Sequence, residues 1–205
     1  MADNGLDFGT IFTGIDIEPQ SGRAVLARAN GGEGCINFRQ NWVGEVDLDA
    51  GTASPVQPAA SCVTGMASAG GRTYMPIGPL FAFPGFFPAA RLQVVDDEGL
   101  QVADPVDLDG FSPFFPAIDP AHGVLVLAHL STGDARTNNN AMSGVGVYDS
   151  KSGKRLALLK SFNFVAPAFS GVLNPAGERG IQLDPATRTA WTFGPGGVQV
   201  QQFRY

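Results

Sequence analysis

One motif, repeated along the chain, constrains the fold more than any other feature of the sequence. The segment IEPQSGRAVLA at 17–27 returns as IDPAHGVLVLA at 118–128, as LDPATRTAWTF at 183–193 and, degraded, as MASAGGRTYMP at 66–76. In the two clearest copies an acid and a proline are followed by glycine and then by Val-Leu-Ala. Proline fixes φ at the entry of a turn and glycine supplies a positive φ at its exit. Each copy therefore predicts a strand, a tight turn and a second strand.

A second element follows each of the first three copies. It is VDLDAG at 46–51, VVDDEG at 94–99 and VYDSKSG at 147–153. Each predicts a strand that runs into a turn of acids and glycine and then into a further strand, at 52–56, 100–106 and 154–160. No segment has a sustained apolar period of 3.6 residues, so the prediction is an all-β chain.

The units start at Ile17, Met66, Ile118 and Leu183, and four-stranded units at such spacing predict a β-propeller. The predicted single domain has four blades of four antiparallel strands, at 14–58, 59–110, 111–163 and 164–205 plus 6–12. We expect the N-terminal strand 6–12 to pair with 198–205 and close the ring. Two alternatives are a β-sandwich, in which repeated hairpin pairs are not expected, and a subunit that completes a larger propeller with another chain.

The repeat resembles the blades of propeller proteins of the YVTN and quinoprotein-dehydrogenase-like type. The resemblance rests on IDPAHGVLVLA together with VYDSKSGKRLALL, and it covers mainly Ile118 to Leu159. Members of this type range from enzymes to inert scaffolds, so the resemblance implies the fold and leaves the activity open.

Charge and composition exclude some classes of partner. The 13 basic and 19 acidic residues give a net charge of −6, and no run of Lys or Arg exists to attract nucleic acid or an anionic membrane. No apolar stretch is long enough for a membrane span, and the N-terminus lacks a signal-peptide pattern. With 16% charged residues and many Gly and Pro, we expect a secreted or periplasmic domain with a disulfide between Cys35 and Cys62; two free thiols are the alternative.

The connectivity of a propeller predicts which side binds. The tight turns within hairpins lie on one side of the ring, and the longer, more varied segments lie on the other. These longer segments are 28–34, 77–88, 107–116, 130–143 and 161–179. We expect a protein partner or a small-molecule ligand on that side, and oligomerisation is left open.

Polar candidates for ligand binding lie in two places. Arg28 and His129 occupy the same position in the first and third copies, so a ring of four blades would bring them together over its mouth, where they would hold an anion. Asp134, Arg136 and Asn138 offer a hard cation or a sugar suitable oxygens and donors. The alternatives are that Arg28 and His129 simply end strands and that the segment around Asp134 is a solvated loop tip.

Aromatic candidates cluster in LFAFPGFFP at 80–88, where Phe83, Phe86 and Phe87 lie together. With Phe111, Phe114 and Phe115 they predict an apolar pocket or a protein-contact patch on the same side. The alternative is that these side chains pack between the blades as core.

No pattern for a nucleophile, a phosphate-binding loop or a metal set is present, and we expect no cofactor. The favoured function is a non-catalytic binding or protein-interaction module. The alternative is a propeller hydrolase or lyase with His129, Arg28 and Asp134 at the mouth of the ring. His122 falls in a tight turn on the opposite side and is given no role.

Overall fold

The computed structural model shows an all-β protein, and the part of the chain that it describes contains sixteen strands and no helix. The residues described are 12–18, 21–29, 42–55, 57–58, 63, 65–77, 91–96, 101–102, 104–108, 111–131, 144–160, 180–193 and 200–205. Nothing in these ranges is a helix long and apolar enough to cross a membrane.

The strands form four antiparallel sheets in chain order. The first sheet contains β1 (Phe12–Glu18), β2 (Arg23–Ala29), β3 (Trp42–Asp47), β4 (Thr52–Ala53) and the short β5 (Gln57–Pro58), which pairs with β3. The second contains β6 (Ala67–Ala69), β7 (Arg72–Ile77), β8 (Arg91–Asp96) and β9 (Val106–Asp107). The third contains β10 (Phe111–Asp119), β11 (Val124–Ser131), β12 (Gly144–Asp149) and β13 (Arg155–Lys160). The fourth contains β14 (Ile181–Asp184), β15 (Thr189–Phe193) and β16 (Val200–Arg204).

The predicted hairpin turns have the expected backbone. Gly22 and Gly123 have φ of 66° and 65° at the ends of the first and third Pro-x-x-Gly turns. The fourth copy has Arg188 where the others have glycine, and Arg188 takes up the same left-handed conformation with φ of 53°. Register confirms the repeat, because Glu18 pairs with Arg23, Asp119 with Val124 and Asp184 with Thr189.

Some predicted segment limits need correction. The segment 107–116 was expected to be a connection, but β10 begins at Phe111 and carries a register shift between Phe114 and Ala117. The prolines of this segment cannot donate hydrogen bonds to a neighbouring strand. This is why the sequence predicts a connection here, and why β10 pairs irregularly with β11. Likewise β2 extends through Ala29 and β11 through Ser131. In the predicted strand 100–106, the isolated bridge of Gln101 with Val95 precedes the short β9.

Neighbouring sheets contact one another mainly through the strand that begins each sheet: β1 packs against β6, and β10 packs against β6 and β7 of the second sheet and β14 of the fourth. Phe12 pairs with Ala29 inside the first sheet, and residues 6–11 lie outside the described residues, so pairing of 6–12 with 198–205 stays a prediction. Within the described part of the chain, the first and fourth sheets have no comparably extensive contact.

The core lies between sheets, and β11 shows how it is built. Val124, Val126 and Ala128 pack with Ile181 of the fourth sheet, whereas Leu125 and Leu127 pack with residues of the second sheet such as Tyr74. Successive side chains of a strand point to opposite faces, so a continuous apolar run means that both faces are covered. The run VLVLA at 124–128 therefore places the third sheet between two neighbours.

Candidate functional site

The side of the molecule where β2, β7, β11 and β15 end is the predicted binding side, and we call it the long-connection face. The segments that leave it for the next strand are 30–41, 78–90, 132–143 and 194–199. On the opposite side, which we call the hairpin-turn face, Gly70 and Gly71 alone join β6 to β7, and residues 19–22 join β1 to β2. A tight turn is sufficient to join paired antiparallel strands, so the longer connections are additions to the scaffold.

Arg28 and His129 occupy equivalent positions beside this face. Arg28 is paired with Thr13 and Trp42, and His129 is paired with Pro113 and Gly144. Both lie within strands: Arg28 is the second residue from the end of β2, and His129 is the third residue from the end of β11. The strand position of Arg28 is described, but its side chain is outside the described part of the structure.

The side chain of His129 has no solvent-exposed surface. Its Nε2 lies 2.8 Å from the hydroxyl oxygen of Tyr148, in a hydrogen bond between two buried side chains. The two rings are tilted by 58°, with centroids 5.9 Å apart. The imidazole is thus part of the interior between the second and third sheets, and its predicted role in holding an anion remains a prediction.

A glycine makes the contact between His129 and Tyr148 possible. A Cβ atom on Gly146 would lie 2.4 Å from Cε2 of Tyr148 and 2.6 Å from its hydroxyl oxygen, which shows that the phenol ring lies directly over this glycine. Gly146 and Tyr148 share a face of β12, while Gly144 is paired with His129. The pattern Gly-x-Gly-x-Tyr at 144–148 is the sequence signal for this arrangement.

Replacing Tyr148 with phenylalanine is expected to lower the free energy of unfolding by about 1–3 kcal/mol, because a buried hydrogen-bonding group of His129 loses this partner. Chemical denaturation followed by circular dichroism measures the change. Tyr74→Phe is the matched control, since Tyr74 packs in the same cluster and its hydroxyl has no hydrogen bond among the described residues. Its effect is expected to stay within about 0.5 kcal/mol. Equal effects of the two variants would contradict the role given to the His129–Tyr148 bond.

The other predicted site residues lie outside the described residues. They are Asp134, Arg136 and Asn138, the phenylalanines Phe83, Phe86 and Phe87, and the cysteines Cys35 and Cys62. For Phe111, Phe114 and Phe115 the strand β10 is described and the side chains are not. Among the described residues, no group of three or more His, Cys, Asp or Glu side chains is arranged to hold a metal ion.

The hairpin-turn face contains a polar cluster that the sequence analysis missed. The carboxylate of Asp119 is fully buried, and its Oδ2 accepts hydrogen bonds from His122 Nδ1 at 2.7 Å and from the Tyr205 hydroxyl at 2.8 Å. Its Oδ1 accepts a third from the backbone N–H of His122 at 3.2 Å. Tyr205 follows β16, so the cluster joins the third sheet to the last strand of the fourth.

The pKa shifts of Asp119 and Tyr205 are consistent with these hydrogen bonds. Burial of Asp119 acts to raise its pKa, but the hydrogen bonds from His122 and Tyr205 outweigh burial and hold the pKa below the ordinary value of 3.8. Burial and the hydrogen bond to Asp119 raise the pKa of Tyr205 well above its ordinary value. The cluster therefore consists of an ionised carboxylate, a neutral phenol donor and a histidine ring fixed in orientation, with His122 partly open to solvent.

The acid of the repeated motif forms a similar link in the first sheet. Oε1 of Glu18 accepts a hydrogen bond from the backbone N–H of Gly71 in the second sheet at 3.3 Å, and the neighbouring Asp16 accepts one from the N–H of Ser68 at 2.5 Å. In the fourth copy, Asp184 accepts hydrogen bonds from Ala186 and Thr187 of its own turn. The repeated acid thus shapes the turn and, in the first and third sheets, also binds the following sheet.

Comparison with solved structures identifies this arrangement of sheets as a β-propeller fold. The chain superposes on the nidogen/laminin complex with a TM-score of 0.60 and 12% identity, over 96% of this chain and 61% of the other. It superposes on hydrazine synthase of Kuenenia stuttgartiensis with a TM-score of 0.57 and 13% identity, over 92% and 51% of the two chains. A functionally unknown protein from Desulfotomaculum acetoxidans gives 0.53 and 12%, over 94% and 56%.

The chain thus spans between about half and three fifths of the length of these solved chains. No protein-family model and no curated protein matches the sequence. At this level of identity the likeness establishes the fold alone.

Proposed function

We propose that the protein is a non-catalytic binding module whose partner contacts the long-connection face. The proposal rests on one observation: the connections between paired strands are much longer on this face than on the hairpin-turn face. Residues 30–41, 78–90 and 132–143 join strands that are already paired, while the hairpin-turn face uses turns as short as Gly70–Gly71. Long connections on a rigid scaffold are where binding residues usually lie.

A protein partner is the first candidate, and a small-molecule ligand is the second. The nidogen/laminin structure is that of a complex, which supports a protein partner by analogy of fold. The sequence of these connections also supports the proposal: Asp134, Arg136 and Asn138 in 132–143 supply charged and amide groups, and the segment 78–90 supplies the phenylalanines. Aromatic and arginine side chains are enriched where proteins bind one another.

The finer classification of the fold is part of the same proposal. The Asp-Pro and Tyr-Asp-x-x-x-Gly-Lys elements of the third sheet favour blades of the YVTN and quinoprotein-dehydrogenase-like type. We further propose a secreted or periplasmic location and a disulfide between Cys35 and Cys62, and the low content of charged residues supports this proposal.

The test compares two double variants that remove the same charges from opposite sides. Asp134→Ala with Arg136→Ala changes the long-connection face, and Asp49→Ala with Lys151→Ala changes exposed turns of the hairpin-turn face. Proteins recovered by cross-linking to the wild-type chain in its producing cells are purified, and their affinities are measured by calorimetry. We expect the first variant to bind at least about 10-fold more weakly, which corresponds to about 1.4 kcal/mol, and the second to bind as the wild type does. The opposite pattern would place the partner on the hairpin-turn face and refute the proposal.

A further inference from the structure

The first sheet has one face directed at the second sheet and one face directed away from it. Asp16 and Glu18 point toward the second sheet, because their carboxylates accept hydrogen bonds from its backbone. Alternate residues of a strand point to opposite sides, so Ile15 and Ile17 lie on the other face, together with Leu26, which is paired with Ile15. We call this apolar face the leading face.

The isoleucines of the leading face are exposed, whereas the residues at the equivalent position in the third and fourth sheets pack against the preceding sheet. Ile15 and Ile17 have exposed fractions of 51% and 49%. The residue equivalent to Ile17 is Ile118 in the third sheet and Leu183 in the fourth. Both of these pack into apolar clusters shared with the preceding sheet. The repeat therefore uses this position to contact the sheet before it.

The fourth sheet has the complementary half of such an interface. Ile181, Leu183 and Phe203 pack toward the third sheet, so Trp191, which is paired with Gln182 and Gln202, lies on the opposite face. The residue equivalent to Trp191 is Val126 in the third sheet and Tyr74 in the second, and both are buried against the sheet that follows. We call this face, centred on Trp191, the trailing face.

We propose that the leading face of one copy of this chain packs on the trailing face of a second copy, and that the reciprocal contact closes the assembly. An interface between two different faces forms a closed ring when the rotation between subunits allows it, and two copies then bury both end faces. A second copy is the occupant that the structure favours, because each copy carries both halves of the repeated interface and its own two halves have no extensive contact in the described part. The apolar surface of Ile15 and Ile17 supplies the driving force.

The first experiment measures mass by light scattering over a range of protein concentrations. We expect the wild type to have twice the 21.4 kDa mass of one chain. Ile17→Asp is expected to weaken self-association by at least about 30-fold, as is typical of loss of an interface hot spot. Leu156→Asp is the matched control, since Leu156 on β13 is also an exposed apolar residue, at 56%, but lies outside both end faces. It is expected to remain a dimer.

A cross-linking experiment separates association of two copies from closure within one chain. Ile17→Cys and Trp191→Cys are made in separate chains, mixed and oxidised, with the oxidised wild type as the background control. A covalent dimer that forms only in the mixture supports the proposal. A wild type that stays monomeric at every concentration would overturn it, as would a dimer unaffected by Ile17→Asp.

Discussion

Replacing Gly153 with alanine is expected to lower the free energy of unfolding by about 2–5 kcal/mol, whereas the same replacement at Gly51 is expected to cost about 1–2 kcal/mol. The two glycines occupy the same turn in the third and first sheets, with φ of 67° and 66°. A Cβ on Gly153 would lie 2.2 Å from Cγ2 of Val106 on β9, while a Cβ on Gly51 would have no atom within 4 Å. Both alanine variants therefore have the same backbone strain, and only Gly153→Ala adds a steric clash with the second sheet.

Urea denaturation of both variants measures the difference, with Gly51→Ala as the control for strain alone. A second variant tests the cause. Val106→Ala should recover part of the loss when it is combined with Gly153→Ala, giving a coupling energy between two residues of different sheets. If both glycine variants lose the same stability, the contact of the turn with β9 does not contribute and this account of the interface is wrong.

The second large effect is expected at Asp119, where replacement by alanine should cost about 3 kcal/mol. The change removes a fully buried carboxylate and leaves the Tyr205 hydroxyl and the partly exposed His122 ring without their shared acceptor. Asp184→Ala is the matched control, because Asp184 is the equivalent acid and its hydrogen bonds are exposed ones within its own turn. We expect a clearly smaller loss for the control, and thermal unfolding at neutral pH measures both.

The same residue predicts how stability depends on pH. The pKa of Asp119 is lower in the folded protein than its ordinary value of 3.8, so the unfolded chain takes up a proton first as the pH falls. The stabilisation is fully present above pH 3.8 and is lost as the pH falls through the lower pKa of the folded state. Asp119→Ala should therefore have a flatter stability profile below this pH than the wild type. Parallel profiles for the two proteins would contradict this prediction.

The repeat made the order of strands predictable. Proline and glycine at fixed positions set the turns locally, so the pairing of Glu18 with Arg23 and of Asp119 with Val124 follows from short-range rules. The start of β10 did not follow, because Pro113 and Pro116 suggest a connection when sequence alone is considered. Only the pairing with β11 and the neighbouring sheets shows that the segment is a strand.

The site was less predictable than the fold, for a physical reason. The equivalence of Arg28 and His129 could be seen in the sequence, but the burial of His129 depends on Tyr148 folding back over Gly146. Likewise, the contact between Asp119 and Tyr205 joins residues 86 positions apart. Long-range contacts between side chains carry no local signal, and a single sequence does not record them.

Because both faces of β11 are buried, a fragment as small as one sheet is not expected to fold and stay monomeric. Val124 and Val126 pack against the fourth sheet, whereas Leu125 and Leu127 pack against the second. The third sheet on its own would therefore expose apolar side chains to water on both faces. Such a short segment of high β-propensity is prone to pair with other chains when it is exposed. The smallest part of this protein able to fold and stay monomeric is therefore larger than its repeat. A single repeat unit is therefore expected to be stable only when neighbouring units pack against it.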